Sequence, residues 1–199
     1  MGKATDTGAR VLDAALEAFG TRGYEATSLD ALAGDLGVTK QTILYWYPSK
    51  EALLEAVIER SATELRGALE TAITQSGPGL DRLDAVMRTV FRFAVRRPAV
   101  LGLLREAGRL GPEVADHVGE RLAPLVERAV DFLRHEMDQG VLRRADPRLL
   151  LLLLYTTVVG VATEAEAQRA IGIGPSAASL ARLRRELFAF VRAAVANPG

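Results

Sequence analysis

An all-α fold is what this sequence predicts, and three observations predict it. From Gly8 onward, apolar side chains recur at three- and four-residue steps in segment after segment, the period of a helix with one buried face. No stretch alternates apolar and polar residues as a half-buried strand would, and no internal repeat emerges. Short breakers, SGPG at 76–79, Gly111-Pro112 and Gly140, cut the chain into pieces of helical length.

Taken in order, residues 1–7 are small and polar and are expected to be disordered. The first helix is expected over 8–21, with Val11, Leu12, Ala15, Leu16 and Phe19 on one face. Gly20, Gly23 and Tyr24 mark the exit from it. Thr27 followed by Asp30 fits a capping box, a hydroxyl on an orphan amide and an acid in the positive first turn. Leu29, Leu32, Ala33 and Leu36 then give the next helix its apolar face. Gly37 stands where the chain must reverse, Val38 plugs the turn, and Thr39 can cap a third helix from Lys40 to about Tyr47. Pro48 stops that helix and Ser49 caps a long one reaching about Gln75. Two short helices around a tight turn form a helix-turn-helix, which sets the N-terminal end of its second helix against base edges in a major groove.

Beyond SGPG, helices are expected over 80–97, 99–110, 112–139, 147–168 and 176–196. Pro124 must kink the third of these or divide it. Asp146 as cap and Pro147 as first helical residue give a strong start signal. The run that follows, residues 149–162, is apolar on all sides and must be covered on several faces. It is either the core of its own subunit or half of an interface with a second copy.

Composition bounds the chemistry. The 199 residues suffice for one large or two small domains. There is no Cys, and His117 and His135 lie far apart with no acidic cluster at ligand spacing, so no metal site or cofactor is expected. No nucleophile–base pair, P-loop or Gly-rich dinucleotide turn is legible, which argues against an enzyme. No signal peptide or membrane-length apolar run is present, and a cytoplasmic location is expected. Charge is balanced at 25 basic and 25 acidic residues, and residues 1–60 carry six basic against nine acidic side chains, a net of −3. That lacks the basic footprint usual for nucleic-acid binding, so weak non-specific affinity is expected.

The stretch from about Arg10 to Ala56, an amphipathic first helix and then GYEATSLDALAGDLGVTKQTILYWYPSKEALLEA, resembles the TetR family of transcriptional regulators. Gly23-Tyr24, Thr27-Ser28, Gly37-Val38, Tyr45-Trp46-Tyr47 and Pro48-Ser49-Lys50 fill the family's pattern in order. Leu44 stands where the family often has Tyr, with Tyr45 one place later. The resemblance implies a helix-turn-helix domain over 8–48, a connecting helix over 49–75 and a ligand-binding and dimerisation domain over 80–199. It implies a homodimer through the last two long helices, a double-stranded DNA operator of two-fold symmetry, and a small-molecule effector whose binding releases the DNA.

Within that frame Lys40 and Gln41 are expected at base edges, since Lys suits guanine and Gln suits adenine. Thr42 is expected at a thymine methyl or a phosphate. Thr27, Ser28, Thr39, Tyr45, Trp46, Tyr47 and Lys50 complete the expected DNA-binding set, chiefly at phosphates. Trp46 reads equally well as a core plug between the third helix and the connecting helix. The implied cavity draws on Met87, Phe91, Leu103, Leu104, Tyr155 and Val159, a lining suited to an apolar or aromatic ligand. The alternatives are a helical interaction module without DNA binding, and an activator or a co-repressor-dependent variant.

Overall fold

The computed structural model describes residues 2–107 and 112–197, apart from the side chains of residues 2–6, 104–107 and 112–114. The described residues form ten helices: α1 Gly2–Arg22, α2 Leu29–Leu36, α3 Lys40–Trp46, α4 Lys50–Gln75, α5 Leu80–Arg96, α6 Pro98–Ala107, α7 Pro112–Asp138, α8 Pro147–Thr163, α9 Ala165–Ala170 and α10 Ala177–Val195. The only β-type pairing among them is an isolated antiparallel bridge, Leu142 with Ala196. They divide into two compact units, residues 1–64 with 97–124 and residues 65–96 with 125–199.

The first unit is built on α1. The helix begins at Gly2, so the polar segment expected to be disordered is helical. No breaker separates it from the periodic residues, and extending a helix costs far less than starting one. Val11, Ala15 and Phe19 are buried on its inner face, as expected, with Leu32 of α2, Ile43 of α3 and Leu53, Leu54 and Val57 of α4. Helix α6 crosses α1 at two glycines. A Cβ on Gly20 would overlap the Ala99 backbone, and one on Gly102 would lie 2.8 Å from the Gly20 carbonyl oxygen.

The cap of α2 differs from the expectation. Ser28, not Thr27, is its N-cap, and its Oγ accepts the Ala31 N–H at 3.1 Å. Thr27 is only 3% exposed and donates its hydroxyl to the Gly23 carbonyl at 2.8 Å. Two adjacent hydroxyls leave a capping pattern ambiguous by one residue. Here the inward one fastens the preceding turn. Gly37 ends α2 at φ +67°, and the Val38 N–H returns to the Ala33 carbonyl at 3.0 Å, closing the turn in the left-handed conformation that glycine favours.

In the second unit, α5 turns Leu83, Met87 and Phe91 into a core with Leu133 and Met137 of α7, Leu142 of the segment between α7 and α8, Leu150 and Val158 of α8, and Leu187 and Val191 of α10. Two ion pairs staple it. Arg192 grips Asp84 through two nitrogens at 2.8 and 2.5 Å, and Arg82 donates to the buried Glu136 at 2.8 Å. Pro124 lies inside the single helix α7 rather than dividing it. Asp146 caps α8 by accepting the amides of Arg148 and Leu149, with Pro147 first. Helix α8 ends at Thr163, five residues short of the expected 168, because the Gln168 side chain turns back and donates to the Val161 carbonyl at 2.8 Å. Its own core covers Leu150, Val158 and Val159, but Leu149, Leu152 and Leu153 remain 61, 55 and 60% exposed.

Candidate nucleic-acid interface

Helix α3 is fixed from behind and open in front. Ile43 is fully buried, which anchors the inner face of α3 in the core of the first unit. Thr39 caps the helix by accepting the Thr42 N–H at 3.2 Å, and the two threonine hydroxyls lie 2.9 Å apart. That bond holds Thr42 toward the N-terminal edge. Gln41 is exposed there, beside Lys40, and Tyr45 is 81% exposed one turn later. The outward surface of α3 therefore carries Lys40, Gln41 and Tyr45, one cation, one carboxamide and one phenol on a rigid short helix. Leu44, where the family often has Tyr, is half-buried.

The other aromatic residues of the cluster play a different part. The Tyr47 hydroxyl donates to the Gly8 carbonyl at 3.2 Å, and burial pushes its pKa up. The Trp46 ring lies against Gly8, where an added Cβ would stand 3.1 Å from the indole. Both residues tie the end of α3 to α1, and Trp46 plugs against that first helix. Trp46 also meets Tyr45 edge-on at 5.4 Å between ring centroids.

At the start of α4, Ser49 accepts the Ala52 N–H at 3.0 Å. Glu51 is held below the usual carboxylate range by its own backbone amide and then by Ser49. Lys50 stands 4.1 Å over the Tyr24 ring, a cation–π contact that orients its ammonium. Burial, and then Glu51, drive the Tyr24 phenol well above the ordinary tyrosine range, so it remains a neutral donor to Glu51 at 3.2 Å.

The charge deficit of this unit has a structural counterpart. Lys40 is paired with Asp30 at 2.8 Å, Arg22 with Asp35 at 3.0 Å and Arg60 with Asp13 at 2.8 Å. Arg10 reaches the Leu36 carbonyl at 3.5 Å, and Lys50 is engaged by Tyr24. Every described cation of residues 7–60 already has a partner within the unit. The Lys40–Asp30 pair, ten residues apart across the turn, is what sequence reasoning missed. An acid opening α2 and a lysine opening α3 were its only signal.

Five of the six residues expected to line an effector cavity have described side chains. Met87, Phe91 and Val159 are packed into the second unit and Tyr155 is 42% exposed, while Leu103 is buried in the first unit. The Leu104 side chain lies outside the described residues.

Comparison with known proteins agrees with this geometry. Residues 11–57 match the family model described as bacterial regulatory proteins, tetR family, a span holding α2, α3 and the cap of α4. The transcriptional regulator RutR of Escherichia coli strain K12 is 26% identical over 148 residues, covering 74% of this chain and 69% of that protein. Among solved structures, the regulator FadR of Bacillus subtilis in complex with stearoyl-CoA superposes with a TM-score of 0.77 at 17% identity, covering 92% of this chain and 96% of that one. AibR, in complex with isovaleryl coenzyme A and operator DNA, gives a TM-score of 0.73 at 19% identity, covering 92 and 96%. Residues 11–57 therefore carry a DNA-binding domain of the tetR family, and over most of its length the chain is similar to transcriptional regulators of that kind.

Proposed function

We propose that this regulator is a ligand-responsive repressor that works in the cytoplasm, binds a two-fold-symmetric operator as a homodimer, and releases it on binding a small molecule with a substantial apolar part. The observation that carries the reading is the outward surface of α3, where Lys40, Gln41 and Tyr45 stand free of the core while Ile43 locks the helix behind them. Lys40 and Gln41 read base edges, and Thr42 meets a thymine methyl or a phosphate. Ser28, Thr39, Tyr45 and Lys50 set the register on the backbone, with helix-start amides adding to the grip. Thr27, Trp46 and Tyr47 act from behind, by holding the turn and α3 in place.

Dimerisation is supported by α8, whose exposed Leu149, Leu152 and Leu153 fall at helical spacing on one stripe, and by Phe190 on α10, 64% exposed. An unpartnered stripe of that size on a regulator is best explained by a second copy of the same face, as in an isologous four-helix interface. Two recognition helices must then sit ~34–36 Å apart, or a multiple, to enter successive major grooves. Helix α4 runs unbroken from the head into the second unit, so an effector that prefers the mis-spaced form shifts the population away from DNA. The acyl-CoA ligands of FadR and AibR support an effector with an apolar chain.

The test is operator discrimination by a Lys40→Ala, Gln41→Ala double variant. Each lost bidentate contact should remove about 1–3 kcal/mol of preference for operator over random DNA. Discrimination equal to that of the parent protein would refute the assignment of α3.

A further inference from the structure

The second unit holds an open groove of about 480 Å³ between the C-terminal half of α4 and α5. Its volume falls within the range of small-molecule sites. The floor is made of small side chains, Ala68 and Ala72 of α4 and the buried Ala85 and Thr89 of α5. The Thr89 hydroxyl is spent on the Ala85 carbonyl at 2.9 Å, and that of Thr71 on Gly67 at 2.9 Å. What these residues leave for an occupant is chiefly methyl groups.

Over this floor stand Arg88 and Arg92, one helical turn apart. Like charges at that spacing repel, so the pair costs the empty protein stability unless counter-charge is near. Little is near. Arg92 makes no ion pair or hydrogen bond with the described residues, and Arg88 reaches only Asp84, at 3.8 Å. Asp84 is already held by Arg192 at 2.8 and 2.5 Å. Arg192 also draws Asp81, at 3.7 Å, and Glu70 of α4 pairs with Arg128 at 2.8 Å. The acids of both walls are thus committed elsewhere, and two guanidiniums face the groove with donors to spare.

We propose that this groove binds an amphiphile with a carboxylate or phosphate head, the head held by Arg88 and Arg92 and the apolar body laid along Ala68, Ala72 and Ala85. Guanidinium forks match either anion through paired, charge-assisted hydrogen bonds. A neutral molecule of the same length leaves both arginines unanswered. The binding claim stands on the groove itself. Its consequence, release of DNA, rests on the ligand-responsive reading above.

Calorimetric titration of the full-length protein with decanoate, decyl phosphate and decanol, all below micelle formation, tests it. At least one of the two anions should bind about tenfold or more tighter than decanol, and whichever does identifies the head. Arg88→Ala with Arg92→Ala should abolish that advantage, while Ala68→Trp, an exposed position, should fill the groove and weaken all three probes. The proposal is overturned if neither anion binds, if decanol binds as well as the anions, or if the double arginine variant binds them like the parent. Operator binding without probe is measured in parallel and should be unchanged in the double variant. Tight anion binding with no effect on the operator would uphold the groove and refute ligand-triggered release.

Discussion

Two helices of this regulator expose side chains that their own subunit does not cover, and they do so with opposite chemistry. Helix α3 shows Lys40, Gln41 and Tyr45, whereas α8 shows Leu149, Leu152 and Leu153. Both are held by a buried inner face, Ile43 in one case and Leu150, Val158 and Val159 in the other. The inner faces have one task, packing. On the function proposed above, the outer faces answer different partners, a polar, stacked duplex for α3 and another apolar helix for α8. Exposure alone therefore says little about function, and the chemistry of the exposed atoms says much more.

The sharpest way to break this comparison is to make the outer face of α8 polar. Leu152→Arg with Leu153→Arg removes two leucines from each of two copies, about 6–12 kcal/mol of interface burial at ~1.5–3 kcal/mol for each side chain. Sedimentation should show a dimer becoming a monomer, operator affinity should collapse, and helicity should survive because neither side chain is in the core. A dimer that persists would place the interface elsewhere.

Next in size is Thr27→Val, a change behind α3 rather than on it. It strips the Gly23 carbonyl of a partner in a buried site and should destabilise the fold by about 1–3 kcal/mol. Thermal unfolding would show the loss. Operator discrimination should hold for the molecules that remain folded, unlike in the Lys40 and Gln41 variant.

Smaller still is Asp30→Asn. It frees Lys40 from a surface pair worth up to about 1 kcal/mol and removes a negative charge from the reading face. Affinity for operator and for random DNA should both rise a few-fold, with a steeper dependence on salt. An unchanged salt slope would mean that Lys40 does not reach the DNA.

The least effect is expected from Glu51, whose folded-state pKa is depressed by its own amide and by Ser49. A depressed carboxylate contributes stability above its unfolded pKa and loses it as pH falls through the folded value. Acid unfolding of Glu51→Gln should thus be slightly less steep below the carboxylate range, with no difference from the parent near neutrality beyond a small constant offset.

The sequence carried most of the local grammar of the head. Gly37, Val38 and Thr39 specify their turn and cap through backbone rules that involve only neighbours, and Asp146-Pro147 specifies the start of α8 in the same way. What escaped it were pairings set by the fold. Lys40 meets Asp30 across the turn, Trp46 lies against Gly8, and Arg192 finds Asp84 from 108 residues away. The effector region was least legible for the same reason. Apolar residues such as Met87 and Phe91 read alike whether they face a cavity or a core, and only packing distinguishes the two. Nothing in the sequence around Arg88 and Arg92 separates them from a solvated helical face.

Selection of bound genomic fragments by the purified protein at fixed salt tests most directly whether this protein reads one two-fold-symmetric DNA site. Enrichment of a single inverted repeat, with half-sites about one helical turn or a multiple apart, is the predicted result. A folded protein that enriches no sequence, with and without decanoate or decyl phosphate, would contradict that reading.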